Sequence, residues 1–420
     1  MSHLKVVVRN TTYLTIAQLV AYVVPLLEVP ILARALGPEA YGQIVVVQSV
    51  ALMASIVVEY GFNLSSARDV AKNSGDKKRL AQLFSDVLAA KLLLMAGVSA
   101  MLVGGIWFTS ISMRGVPASH IILGVLYFFA FAFSPFWFFL GKEKIGGITL
   151  LELCLRLICL FMLYIFIKKP EDATLALALL ASTSLTNTFV TNALCVKYLP
   201  IVRPRISGAI GVIRSGFNVF VYRSANTVLV TAAPALIGAC AGRTATGVFV
   251  PAEKVVRAVV GLFTPVFTAA FPHFARSLAI GDIRSRDTAW FVVAASATLG
   301  LCGATFLYLF GAPLLLFAVG KEFTATIELL KWFVWLIPLR IFNQALGLLM
   351  LIPSGKDRQT SRAIIFFSFM SLLIGVLLLE RCGALGMVAS LLVSELGLAG
   401  ALLFIAIKKR PYYIMPSDKK

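Results

Sequence analysis

Residues 92–108 read LLLMAGVSAMLVGGIWF, without one charged side chain. As a helix, a run of that length fills most of a ~30 Å hydrocarbon core. Barrel strands alternate apolar and polar residues, and this run does not. Backbone N–H and C=O groups in lipid must then bond within their own segment, so the run predicts a membrane-spanning helix. Similar runs recur along the chain. Of its 420 residues 59% are hydrophobic and 14% charged, where soluble domains carry about 25% charged residues. Mean hydropathy is +0.91. The expected fold class is an all-α integral membrane protein with twelve transmembrane helices in two parallel-repeat six-helix lobes around a central cavity.

The twelve expected spans are 11–33, 41–63, 83–108, 118–140, 147–167, 173–195, 216–240, 246–274, 288–311, 326–352, 361–379 and 384–407. The apolar stretch APLLLFAVG (312–320) lies beyond the expected end of the ninth. The first is a full-length span without a small-residue cleavage site, which reads as a retained helix and not a signal peptide.

Lys and Arg number 38 against 19 Asp and Glu, for a formal charge of +19. This excess gathers on alternate loops. One set carries Arg68, Lys72, Lys77, Lys78 and Arg79, then Lys197, Arg203, Arg205 and Arg214, then Arg276, Arg284 and Arg286, and lastly the tail Lys408, Lys409 and Arg410. The positive-inside rule places that face and both termini in the cytoplasm. There the bases face anionic membrane lipids. With no aromatic platform or soluble module, no nucleic-acid partner is expected. Six scattered cysteines and His3, His120 and His273 show no ligand spacing, so neither a disulfide framework nor a metal site is expected.

The turn after the first span reads GPEAYG (37–42), and the turn after the seventh reads GRTATG (242–247). Both fit G-x-x-A-x-G and stand about half the chain apart. Six spans per half make the halves parallel, related by an axis along the membrane normal. This predicts lobes at 1–196 and 216–420, joined by a basic cytoplasmic linker at 197–215.

Charges inside the spans call for a reason, because one at mid-membrane costs roughly 2.5–3.5 kcal/mol on insertion scales. Glu152 and Arg156 are spaced i,i+4 and can neutralise each other. Asp86 and Lys91 sit near a span end, where they can snorkel to the interface, and Lys331 can pair with Glu328. The second half is harder to dismiss. PAEKVVRAVVG (251–261) brings Glu253, Lys254 and Arg257 into one span, and Arg223 and Arg340 fall at similar depth. Asn226 accompanies Arg223, and Asn343 and Gln344 accompany Arg340. Cations beside amides suit an anionic head group rich in hydroxyls. The candidate substrate-binding residues are therefore Arg223, Lys254, Arg257, Arg340, Asn226 and Asn343. Glu28, Glu59, Glu253 and Glu395 are candidates for ion coupling or counter-charge, and pairing of the cations with these acids across helices stays open. Glu28 lies between Pro25 and Pro30, which predict a kink in the first span. The polar face Ser184, Asn187, Thr188, Thr191 and Asn192 of the sixth span suits helix packing and sugar contact equally. There is no P-loop and no Ser/His/Asp set, so an enzyme is not expected. No cofactor is expected beyond a coupling H+ or Na+.

The segments ARALGPEAYG (33–42), EYGFNLSSARDVAK (59–72), SPFWFFLGKEK (134–144), LLMLIPSGKDRQ (348–359) and GALGMVASLLVSELG (383–397) resemble bacterial polysaccharide flippases of the Wzx, or O-antigen transporter, type. That family belongs to the multidrug/oligosaccharidyl-lipid/polysaccharide exporter superfamily. The resemblance implies an undecaprenyl-pyrophosphate-linked oligosaccharide as substrate, flipped across the bacterial cytoplasmic membrane by lobes that alternate between inward-open and outward-open shapes. It leaves polysaccharide polymerase machinery as a possible partner. A drug or metabolite antiporter of the same superfamily is the alternative, since relatives share the fold. The aromatic run YFFAFAFSPFWFF (127–139) occupies every face of its span and reads as packing and lipid contact.

Overall fold

The computed structural model describes the backbone of residues 2–109, 116–200, 202–279 and 283–408, and the side chains of 23–100, 116–200, 202–217, 220, 231–278 and 284–408. Among these residues there is no strand. The helices are α1 (Ser2–Glu59), α2 (Phe62–Lys72), α3 (Lys77–Thr109), α4 (Ala118–Ala132), α5 (Phe136–Gly141), α6 (Ile145–Phe166) and α7 (Ala173–Tyr198). After the linker come α8 (Ile206–Cys240), α9 (Arg243–Gly261), α10 (Thr264–Ala279), α11 (Ile283–Val319), α12 (Thr324–Phe333), α13 (Leu336–Ala345) and α14 (Asp357–Ile407). Residues Leu346–Leu351 continue α13 as a π-helical turn.

Eight stretches among the described residues are long and apolar enough to cross a membrane, or nine if Lys321–Phe333 and Leu336–Leu351, bent by 43°, count as one. The count is lower than the expected twelve because α1 and α14 each run through two expected spans, and because α8 enters it only as the shorter apolar pieces Ile206–Phe217 and Thr231–Cys240. A straight helix as long as α1 would reach ~87 Å at 1.5 Å per residue, far beyond one hydrocarbon core. Its helical φ/ψ breaks at Gly37 (φ 71°, ψ 174°), and α14 breaks likewise at Gly383 (φ 56°, ψ −142°). The kink expected at Pro25 and Pro30 produces no such break; both keep helical φ/ψ. The span expected at 246–274 is two helices, α9 and α10, meeting at Leu262 and Phe263. APLLLFAVG belongs almost wholly to α11, which ends at Val319.

The two glycine motifs meet. A methyl group added to Gly42 would lie 2.0 Å from the carbonyl oxygen of Arg243, and one added to Gly247 would lie 1.8 Å from that of Pro38. Position 42 corresponds to 247 and 38 to 243 in the repeat, so each motif receives the backbone of the other at the same place. Gly242 (φ 90°, ψ 173°) even shares the backbone geometry of Gly37. Small residues that let backbones touch are a main source of helix association where lipid removes the hydrophobic drive. Around this interlock the buried side chains of both halves, including Leu36, Tyr41, Ile44, Phe249, Phe323 and Phe333, form one cluster. Tyr41 meets Phe323 edge-on at 6.5 Å.

A second fastening joins the halves near the linker. Asp86 on α3 is 8% exposed and does not snorkel. Its Oδ1 accepts the backbone N–H of Arg205 at 2.9 Å and the Gln82 amide at 2.8 Å. Arg205 is the N-cap of α8, which has no capping side chain of its own. Asp86 thus caps, from another helix, the positive end of the first helix after the linker. Lys91 is buried too, at 2% exposure, and donates to the Ser134 carbonyl at 3.0 Å. No ion pair joins Lys331 to Glu328 among the described residues.

Two stability predictions follow from these fastenings. Gly247→Ala should cost about 1–3 kcal/mol through overpacking and lower the thermal midpoint of the purified protein, whereas Gly211→Ala, whose added methyl meets nothing within 4 Å, should leave it unchanged or raise it. Asp86→Ala strands the Arg205 N–H and should cost about 1–3 kcal/mol, with Asp86→Asn intermediate; both are read by thermal unfolding in detergent.

Candidate functional site

A cavity of about 350 Å³ lies between the halves. From the first half it is lined by α1, α4, α5, α6 and α7, together with Ser134 in the turn before α5; from the second half come only Lys254 and Arg257 of α9. The lining begins at Gln48 on α1 and Lys254 on α9 beyond their glycine motifs. These are six and seven residues past Gly42 and Gly247, so the cavity starts ~10 Å in from the interlock.

Five charged side chains line this cavity: Glu28, Glu152, Arg156, Lys254 and Arg257. The i,i+4 pair on α6 forms as expected, with Arg156 Nη2 2.8 Å from Glu152 Oε1. Pairing does not remove it from the site, because both residues face the cavity. Arg257 donates through Nε to Glu253 Oε1 at 2.8 Å, and its Nη2 forms the ion pair to the same oxygen. Glu253 itself is buried at 7% exposure. Lys254 has no carboxylate within ion-pair distance among the described residues. Its ammonium lies 5.9 Å from the Tyr41 ring centre. Glu28 lies within electrostatic reach of Lys254 and Arg156. Among the described lining residues, Arg156, Lys254 and Arg257 stand with Glu28 and Glu152, and Glu253 pairs with Arg257 from outside the lining.

The other candidates are placed elsewhere. Arg340 pairs with Glu395, Nε to Oε1 at 3.1 Å, and Asn343 donates to Glu395 Oε2 at 2.8 Å. This network ties α13 to α14 and contributes nothing to the cavity lining. Gln344 donates to Thr264 Oγ1 at 3.1 Å and so ties α13 to α10. Glu59 accepts from Asn63 one turn on and is not in the lining. Arg223 and Asn226 fall in α8, where their side chains lie outside the described residues.

The polar face of α7 serves both packing and cavity. Thr188 Oγ1 donates to the Ala130 carbonyl at 2.6 Å, and Asn192 Nδ2 to that of Phe133 at 3.0 Å, so these two bind α7 to α4. Thr183, Ser184, Asn187, Thr188 and Thr191 line the cavity. Gln48, Tyr127 and Arg156 are site residues that the sequence reading missed or set aside. A glutamine inside VVVQSV (45–50) and an ion pair at the centre of an apolar helix were the available signals.

Known proteins resemble the chain along nearly its whole length. It is 26% identical over 398 residues, covering 92% of this chain and 93% of the other, to a protein of Escherichia coli (strain K12) named "Putative O-antigen transporter". A protein of Shigella dysenteriae with the same name is 26% identical over 381 residues, covering 89% of this chain and 93% of its own. The fold matches the inward closed conformation of the lipid II flippase MurJ with a TM-score of 0.72 at 10% identity, over 94% of this chain and 87% of that one. It also matches an inward-facing multidrug resistance MATE family transporter of the MOP superfamily with a TM-score of 0.68 at 16% identity, over 91% and 94%. The profile described as polysaccharide biosynthesis protein matches residues 7–278. A membrane fold of helices alone and this match along most of the chain agree: the protein belongs to the polysaccharide biosynthesis protein family.

Proposed function

We propose that the protein flips undecaprenyl-pyrophosphate-linked oligosaccharide units from the cytoplasmic to the outer leaflet of the bacterial inner membrane, for O-antigen or a related surface polysaccharide. It acts as a transporter, by alternating access. The observation that carries this reading is the cavity, with Arg156 from the first half and Lys254 and Arg257 from the second in its wall. The names of the two bacterial relatives support the cargo.

In this reading the breaks at Gly37 and Gly383 are turns at the membrane surface, α9 with α10 is one crossing, and α12 with α13 is another. The chain then crosses twelve times, in lobes 1–196 and 216–420 with the basic linker 197–215 and both termini in the cytoplasm. The interlocked turns lie on the outer side, so the cavity opens inward.

A pyrophosphate entering the cavity meets Lys254 first as a cation with no carboxylate to displace. It then competes with Glu253 for the planar fork of Arg257. Its lipid tail stays in the bilayer. An inside-negative potential assists outward movement of the anion by about 2.3 kcal/mol per charge per 100 mV. Glu28, beside Lys254 and Arg156, is the group through which H+ or Na+ binding would be felt at the cations.

Deletion of the gene, with upstream glycosyltransferases intact, should accumulate lipid-linked oligosaccharide on the cytoplasmic leaflet and abolish surface polymer, both reversed by the intact gene. Normal polymer with no accumulation would reject the cargo and turn attention to cationic drug efflux. In the same strain, Lys254→Ala should reduce surface polymer at least tenfold at unchanged protein abundance, with partial rescue by Lys254→Arg. Arg340→Ala should instead lower protein abundance, because it leaves the half-buried Glu395 carboxylate without its counter-charge between α13 and α14.

A further inference from the structure

Beyond the charged wall, the cavity has a neutral polar side that the anion does not need. Asn187 is one residue before Thr188 on α7 and so points about 100° away from it around the helix. Both residues line the cavity, but Thr188 donates to the Ala130 carbonyl of α4, whereas Asn187 Oδ1 is buried without a hydrogen-bond partner among the described residues. Asn192, further along the same helix, instead donates to the Phe133 carbonyl. Gln48 puts a second amide into the same lining from α1. The hydroxyls of Thr183 and Ser184 each donate to their own helix, to the carbonyls of Leu179 and Leu180, and keep acceptor lone pairs. Tyr127 and Phe131, with ring centres 4.9 Å apart, supply an aromatic wall.

Amides that both donate and accept, set beside an aromatic wall, match a sugar ring, which presents hydroxyl or acetamido groups at its edge and C–H bonds on its face. The volume, near the lower end of the ~300–1,000 Å³ usual for ligand cavities, suits a head group and its nearest sugar better than a long saccharide. Resting on the flippase reading above, we propose that Asn187 and Gln48 form the subsite for the sugar attached directly to the pyrophosphate. Selection among lipid-linked saccharides is then made by α1 and α7 of the first half, while α9 of the second half contributes Lys254 and Arg257 to hold the charge common to all of them.

The test uses purified full-length protein and two probes: undecaprenyl pyrophosphate, and the lipid-linked oligosaccharide isolated from the deletion strain. Asn187→Leu and Gln48→Leu should weaken binding of the sugar-bearing lipid about tenfold, the scale of one or two lost hydrogen bonds, and leave the bare lipid pyrophosphate within twofold. Asn187→Ala, which adds no bulk, is the companion variant should the leucine protein fail to fold. Lys254→Ala should weaken both probes alike. If the amide variants bind the sugar-bearing lipid as tightly as the native protein while Lys254→Ala weakens both, the sugar subsite is refuted and the flippase reading stands. If the native protein binds neither probe, the flippase reading falls and the subsite with it.

Discussion

Charge inside hydrocarbon, at roughly 2.5–3.5 kcal/mol per group on insertion scales, is the constraint around which the interior is arranged. Glu152 with Arg156, Glu253 with Arg257, and Arg340 with Glu395 meet it by pairing. Two of these pairs join residues one helical turn apart and can form as soon as their helix forms. The third spans α13 and α14 and waits for tertiary packing. The difference sorts their roles. Local pairs can stand at the edge of a cavity and exchange a partner for a ligand without separating helices. A pair between helices, reinforced by Asn343, cannot open without loosening the second half.

The cavity also depends on where the backbone comes together. Two glycines remove the side chains that would hold α1 and α9 apart, and the carbonyls of Pro38 and Arg243 take that space. Near the linker Asp86 holds the start of α8 against α3, a further contact between the two halves of the chain.

Much of the fold was legible because membrane helices announce themselves locally. LLLMAGVSAMLVGGIWF needs no partner to be read as helix, and the G-x-x-A-x-G repeat singled out two turns whose backbones meet in the structure. The site was less legible. Lys254 and Arg257 stand out as charges in an apolar helix, and they do line the cavity. Arg340 stands out equally and does not, because its partner Glu395 comes from another helix and no local pattern announces it. Glu152 and Arg156 were recognised as a pair, but a helix does not disclose in sequence which of its faces meets empty space. For the same reason the stripe on α7 did not disclose that Thr188 is bonded to α4 while the Asn187 Oδ1 beside it stays unbonded at the cavity.

The interlock is isologous in the sense used for symmetric oligomers: one site of patch A meets site B of its mate, and the mate's A meets B in return. Gly42 with Arg243 and Gly247 with Pro38 satisfy that rule within a single polypeptide. At this end the chain is its own homodimer, with both copies of the patch encoded separately. A homodimer must change both copies at once. This chain can change one, and so is free to build a two-fold frame around a cavity whose walls are not alike.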